Sequence, residues 1–449
     1  MKKSLVTSIL VALVQLSNVA HAQTPLVMGY WENWGTYQNY PMPGNAAGSS
    51  NPTLSAQFTG INSLAYAFLE VASDGSIMFS DVWSDLDAKS PEDQTFCQAL
   101  PESCPSFPQA GSLGNFNAFV KAPVAHHVIS VGGAGHDNAW ENAFANQNQF
   151  VASLQKLAQT HPGIDGLDID YEPVGGVPQQ RIPQLIQLVQ HIKQTLPNLI
   201  ISYTIPANSN SIQAFGAANW KTLSASIDYV NVMGYDMHGA FDRANPYTAL
   251  HSALFTDTQD FSDDAAIQTL IKNGIAANKI VLGMPFYGRA VGGVQQSGLQ
   301  QLFTQSVKGD LDDAACSLDL NAGNVCSGMT QYKTLASSSI LAIPVTSHNV
   351  IAGVYSYDAT QKTFVSYDNP ASAAAKTQYA MDNHLAGVMF WSLRFDLPVD
   401  NSQSLLQAID KVAGISSHPV TPSMKLELTN NDPHNPVTIR NVHEISRTT

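Results

Sequence analysis

The segment Gly163-Ile164-Asp165-Gly166-Leu167-Asp168-Ile169-Asp170-Tyr171-Glu172 carries the densest chemistry in the chain. In a β-strand, successive side chains point to opposite faces. Asp168, Asp170 and Glu172 then share one face, and Leu167, Ile169 and Tyr171 share the other. The apolar alternate face argues against a fully solvated strand. Three carboxyls crowded on one buried face repel each other and lose solvation, which raises the pKa of at least one. An acid that keeps its proton near neutral pH is equipped to protonate a leaving oxygen. The rival chemistry is a divalent-metal site. Acids spaced along one strand diverge, and no second acidic cluster completes a coordination shell, so no metal is assigned.

The elements that must position these acids alternate in type. Short apolar runs read as strands at Leu26–Trp31, Ile61–Leu69, His127–Gly132, Ile164–Tyr171, Leu199–Ile205, Tyr229–Tyr235, Lys279–Phe286 and Leu385–Leu393. Amphipathic segments such as Gln180–Leu196 and Asp263–Asn273 lie between several of them. Eight β-then-α units predict an α/β fold closed into a (β/α)8 TIM barrel, with the acidic face pointing inward and Glu172 at the C-terminal rim, where such barrels place catalysis. An open doubly wound sheet requires a glycine-rich phosphate turn after the first strand, and Met28-Gly29-Tyr30-Trp31-Glu32-Asn33 is aromatic instead.

Two connections are long enough to carry structure of their own. One runs from about Asp74 to Asn117. The other, about Ala290 to His384, contains a hairpin pattern (Val350–Tyr357 and Thr363–Tyr367) and a helix pattern (Ser372–Asp382), and reads as a small α+β insertion between the seventh and eighth strands. The expected organisation is therefore a signal segment over residues 1–22, a catalytic barrel over 23–412 with the insertion at 290–384, and a linker with tail over 413–449. In the tail, His418-Pro419-Val420-Thr421-Pro422 has linker composition.

Lys2 and Lys3, the apolar run Leu5–Val14 and the small-x-small site Ala20-His21-Ala22 are the three parts of a secretory signal, in order. The apolar run is too short to span a bilayer, so the expectation is secretion to an extracellular or periplasmic space. In an oxidising compartment the four cysteines, at 97, 104, 316 and 326, read as two local disulfides, Cys97–Cys104 and Cys316–Cys326. The formal charge of −14 disfavours nucleic acid and anionic membranes as partners and suits a neutral polymer.

The pattern D-G-x-D-x-D-x-E, from Asp165 to Glu172, resembles the signature of family-18 glycoside hydrolases, the chitinase family. Further segments are similar to that family's and follow its order: Ser130-Val131-Gly132-Gly133 in the third strand, Met233-Gly234-Tyr235-Asp236 in the sixth, Gly283 to Arg289 in the seventh and Gly387 to Ser392 in the eighth, with Trp391. The resemblance covers residues 24 to 412. It implies hydrolysis of β-1,4-linked N-acetylglucosamine with retention, in which the substrate's acetamide oxygen is the nucleophile and an oxazolinium forms; the expected partners are chitin or its oligosaccharides, with no cofactor, and the expected state is a monomer. It implies Glu172 as acid and then base, Asp170 as the acetamide-orienting group, Asp168 as a deeper proton holder in relay with Asp170, and Tyr235 as donor to the acetamide oxygen. Trp391 is expected to floor the pocket, and Asp236, Met233, Tyr30, Tyr287 and Arg289 to contact substrate. Trp31, Trp34, Trp140 and Trp220 read equally as outer subsites or as packing. The chain departs from the family pattern at Ala134 and Phe241, where tryptophan is common, and at Arg394, where an acidic residue is common. Two other activities fit the same resemblance: an endo-β-N-acetylglucosaminidase acting on N-glycans or peptidoglycan, and a non-catalytic chitin-binding lectin. The presence of Glu172 argues against the lectin.

Overall fold

The computed structural model describes residues 24–45, 58–256 and 261–417; the signal segment and the tail beyond 417 lie outside the described residues. Eight parallel strands form the central sheet: β1 (Leu26–Glu32), β2 (Ser63–Val71), β3 (His126–Gly132), β4 (Gly166–Asp170), β5 (Ile200–Pro206), β6 (Tyr229–Met233), β7 (Ile280–Pro285) and β8 (Gly387–Trp391). Each pairs with the next, and β8 pairs with β1, which closes the sheet into the expected (β/α)8 barrel. Strands β4 and β6 end earlier than expected, at Asp170 and Met233, so Glu172 and Tyr235 stand just past the ladder on the rim.

Alternation along the strands builds two separate cores. From β1, Leu26, Met28 and Tyr30 point into the barrel with Ala65, Val128, Val281 and Met389. Val27 and Trp31 point outward, into the layer that the helices cover. That outer layer explains the helices. In α1 (Ile182–Thr195), Ile182, Leu185, Ile186, Val189 and Ile192 are buried at three- and four-residue spacing, which places them on one face. Burying each such side chain stabilises the fold by about 1.5–3 kcal/mol. Two more helices start on side-chain caps: Ser262 opens α2 (Asp263–Lys272), and an Asn369–Ser372 capping box opens α3 (Pro370–Asp382).

The insertion forms a six-stranded antiparallel sheet that begins at Tyr287 and ends at Tyr367. Its expected hairpin is present as Val350–Asp358 paired with Thr363–Tyr367. The helix expected with it, α3, packs on the insertion strand Val350–Asp358 and also against β7, β8 and the closing helix α4 (Leu405–Ala413). It is thus the crossover helix that returns the chain to β8. Cys97 and Cys104 are bonded in the first long connection, and Cys316 and Cys326 in the insertion. Among the described residues, no helix is long and apolar enough to cross a membrane.

Candidate active site

Register sets the floor of the site. Ser130 on β3, Asp168 on β4 and Ser202 on β5 are directly paired across the three strands, so their inward side chains meet at one level. Asp168 is fully buried and takes five hydrogen bonds. Tyr30 Oη and Ser130 Oγ donate to Oδ2, both at 2.8 Å. Ser202 Oγ, Thr204 Oγ1 and Asn231 Nδ2 donate to Oδ1 at 2.7, 2.7 and 3.1 Å. Burial pushes the carboxyl up, and the donors act in the opposite direction. Burial outweighs the donors, so the carboxyl stays above its ordinary range while both of its oxygens are held in place. Tyr30 itself is buried, so its hydroxyl serves Asp168 rather than an open cleft.

One level higher the balance reverses. Asp170 is buried, and burial followed by the charges of Glu172 and Asp168 lifts its carboxyl well above the usual range. Its carboxyl hydrogen-bonds to that of Glu172. Its Oδ1 is buried with no protein partner. Glu172 is only part-buried. Burial, then the charges of Asp137, Asp236 and Asp168, push its pKa up to about 7. Asp137, on the loop after β3, accepts the Glu172 backbone N–H. No motif singles out Asp137, and its role emerges only in three dimensions.

Behind the acids, Gly132 and Gly133 let β3 and its loop close on β4. The Gly133 N–H donates to the Asp170 carbonyl at 2.9 Å. A Cβ on Gly132 would lie 2.2 Å from that same carbonyl oxygen.

The β6 rim supplies the opposite wall. Tyr235 is half-buried, and burial with the surrounding carboxylates raises its phenol well above normal, so it remains a proton donor. Asp236 is held in a two-bond fork by Arg289, with Nε to Oδ1 at 2.8 Å and Nη2 to Oδ2 at 2.7 Å. Nδ1 of buried His251 lies 3.7 Å from Asp236. Burial alone would raise Asp236, but Arg289 and His251 outweigh it and hold the carboxyl well below the usual range. Tyr287 is buried, with its ring 5.9 Å from Tyr235 and 5.4 Å from His251. It supports the wall from behind. Met233 lines the barrel interior beside Tyr235 and Trp391.

Aromatic side chains complete the site. Trp391 packs on Tyr30 at 5.6 Å and stacks on Phe68 at 5.4 Å. Trp34 lies 6.0 Å from Trp391 and is 38% exposed. Of the four tryptophans that read either way from sequence, Trp31, Trp140 and Trp220 are buried core, and Trp34 alone reaches the surface beside the site. Phe68 and the hydroxyls of Ser202 and Thr204 carried no motif. The period-2 pattern of β5 nonetheless places Ser202 and Thr204 in phase on one face. Among the described residues, the group of Asp312, Cys316 and Cys326 has the spacing of metal ligands, but both sulfurs are tied up in the disulfide.

The arrangement offers a near-neutral proton donor, a neighbouring carboxyl held toward its neutral form with a free oxygen, a phenol donor, a clamped carboxylate and an aromatic floor around one opening. Comparisons with known proteins give the chain's relatives. A curated chitinase of Aphanocladium album is 25% identical over 381 residues, covering 81% of this chain and 79% of its own. An endochitinase of Metarhizium robertsii is 26% identical, covering 82% and 80%. A chitinase structure from Bacillus thuringiensis superposes with a TM-score of 0.68 at 22% identity, over 87% of this chain and 70% of that one. A group II chitinase catalytic domain of Ostrinia furnacalis, solved with (NAG)5, superposes at 0.65 with 20% identity, over 87% and 96%. The model of glycosyl hydrolases family 18 matches residues 26–396, which takes in all eight barrel strands and the insertion, and the chain belongs to that family.

Proposed function

We propose that this glycoside hydrolase is a chitinase that cleaves β-1,4-linked N-acetylglucosamine with retention, using the substrate's acetamide as nucleophile. The supporting observation is the state of every carboxylate that presses on Glu172. Asp168 is saturated by five donors. Asp236 is forked by Arg289, Asp137 is engaged by the Glu172 backbone N–H, and burial with neighbouring charge lifts Asp170 well above the usual range. Asp168 and Asp236 are thus tied up, and a carboxyl held toward its neutral form, as Asp170 is, is a poor nucleophile, whereas the second carboxylate of an ordinary retaining pair must attack the anomeric carbon. The nucleophile therefore arrives with the sugar, where tethering supplies the proximity.

Glu172 passes its proton to the leaving glycosidic oxygen as the C1–O bond breaks and the acetamide oxygen closes on C1. The Asp170 hydroxyl, already directed at Glu172, stabilises the carboxylate that results, and its unpartnered Oδ1 accepts the acetamide N–H. Tyr235 donates to the acetamide oxygen. Glu172 then takes a proton from water as that water opens the oxazolinium from the same face. Trp391 packs against the apolar face of the reacting sugar. The two disulfides and the leader-like first 22 residues support secretion.

Release of fluorophore from a chitotriose glycoside tests the reading. Glu172→Gln should lower turnover by about 10²–10⁴-fold with an unchanged melting temperature. The first product anomer seen by NMR should keep the β configuration, and a glycoside without the acetamide should resist cleavage. An inverted product, or equal rates with and without the acetamide, excludes the mechanism.

A further inference from the structure

Arg394 departs from the family pattern, and the structure gives it a task. We propose that Arg394 is a positioning residue of the sugar cleft, whose buried guanidinium sets the spacing between Trp34 after β1 and Trp391 at the end of β8. The inference rests on the reading of the cleft as a sugar site.

Trp34 is carried by a 3-10 helix, Asn33–Gln38, that follows β1 directly. Glu32 precedes the helix and Gln38 ends it. Arg394, three residues after Trp391, touches both. Its Nε and Nη2 donate to Glu32 Oε2 and Oε1 at 3.3 and 3.2 Å, and its Nη1 donates to Gln38 Oε1. The helix backbone lies against the arginine stem, because a Cβ on Gly35 would meet Arg394 Cδ at 3.3 Å. Arg394 is 3% exposed and Glu32 is 0% exposed. The arginine is itself fixed, with its guanidinium 4.7 Å above the Phe395 ring and its carbonyl accepting Lys333 Nζ at 2.9 Å from the insertion.

The start of the helix has a second anchor. Asn33 Nδ2 donates to Ser80 Oγ at 2.8 Å and to Asp85 Oδ1 at 3.1 Å. Its C-terminal end is held by the Gln38 contact to Arg394 and by Tyr37, whose hydroxyl donates to Asp81 Oδ2 at 2.7 Å and whose ring stacks on Trp83. A planar fork with five donors reaches two acceptors in different directions, which a lysine ammonium on a flexible stem does not do with the same rigidity. One side chain thus holds the Trp34 helix to the segment that carries Trp391, and the two indoles stand 6.0 Å apart.

Removing Arg394 would strand the buried Glu32 charge and endanger folding, so Gln38→Ala is the primary test, with Arg394→Lys beside it. Gln38→Ala leaves the ion pair intact. It should raise KM for a chitotriose glycoside several-fold and leave kcat within about twofold, since a displaced Trp34 weakens ground-state and transition-state binding alike. Gln38→Glu keeps an acceptor for Nη1 and should restore the wild-type KM. Arg394→Lys should raise KM about tenfold. A folded Gln38→Ala with wild-type KM, a fall in kcat at constant KM, or failure of Gln38→Glu to restore KM overturns the inference. Wild-type enzyme that cleaves no N-acetylglucosamine glycoside refutes the proposed function instead. The clamp is then judged from a crystal structure of Gln38→Ala, in which an unchanged Trp34–Trp391 separation overturns it and a larger one supports it.

Discussion

Glu172 gains its proton affinity first from burial and then from Asp137, Asp236 and Asp168. Asp137 is the one among these that neither receives a charged partner's fork nor sits on β4. Its charge favours the protonated acid, so removing it should lower the Glu172 pKa. The acid form is the active one in the first step, and activity should therefore fall as pH rises through about 7. In Asp137→Asn the alkaline limb of kcat/KM should move to lower pH, with activity at pH 5 changed much less. A limb that stays in place would mean that burial alone sets this acid. Asp168 and Asp170 of β4, and Glu172 just past its end, were legible because alternation along one extended segment is a local property. Asp137 was not, because its carboxylate meets Glu172 through the pairing of β3 with β4, five residues beyond the end of β3.

At the scale of elements, the site depends on how closely β3 and β4 approach. Gly132 has φ 113°, a conformation that costs an L side chain about 1–3 kcal/mol, and its Cβ would strike the Asp170 carbonyl. Gly132→Ala should lower the melting temperature and also depress turnover, because Asp170 and Glu172 move with the carbonyl. Full activity in a stable Gly132→Ala protein would show that the strands can part without disturbing the acids. The elements themselves followed from periodicity, to within a few residues at their ends. Helix α3 serves both parts, packing on β7, β8 and α4 and also on the insertion strand Val350–Asp358; its composition and length are those of any amphipathic helix, so only packing shows the double role.

Across the whole molecule, a buried charge cluster joins the barrel to the insertion. Lys376 of α3 lies 2.6 Å from Asp368, at the end of the insertion, and 3.8 Å from Asp263, at the start of α2. Its Nζ also donates to Ser252 Oγ and to the Ser252 carbonyl, and Ser252 Oγ donates to the Gly234 carbonyl just before Tyr235. Both carboxyl oxygens of Asp263 lack a hydrogen-bond partner. Burial raises Asp263 to about 8, with Lys376 opposing and Asp368 and Asp264 adding to the rise. The unfolded chain releases this proton near pH 4, whereas the folded chain retains it to about 8. The group's stabilising contribution is thus complete below about pH 4 and declines as pH rises toward 8. Asp263→Asn should match wild type in melting temperature near pH 4 and exceed it near pH 8. A variant that is less stable at pH 8 would mean that Asp263 is ionised and paired with Lys376.

The amino-acid sequence by itself determined the barrel class, the eight strand positions, the inward face of β4 and the two cysteine pairings. These depend on contacts between near neighbours in the chain or on a repeating period, which one dimension records. Only the tertiary structure brought donors from β1, β3, β5 and β6 onto the one carboxylate of Asp168 and left Oδ1 of Asp170 without a partner. It alone separated Trp34 from the buried tryptophans, and it alone paired Arg394 with Glu32 across 362 positions of chain. Electrostatics and burial act through space, so residues distant in sequence set them, and closure of the barrel brings those residues together.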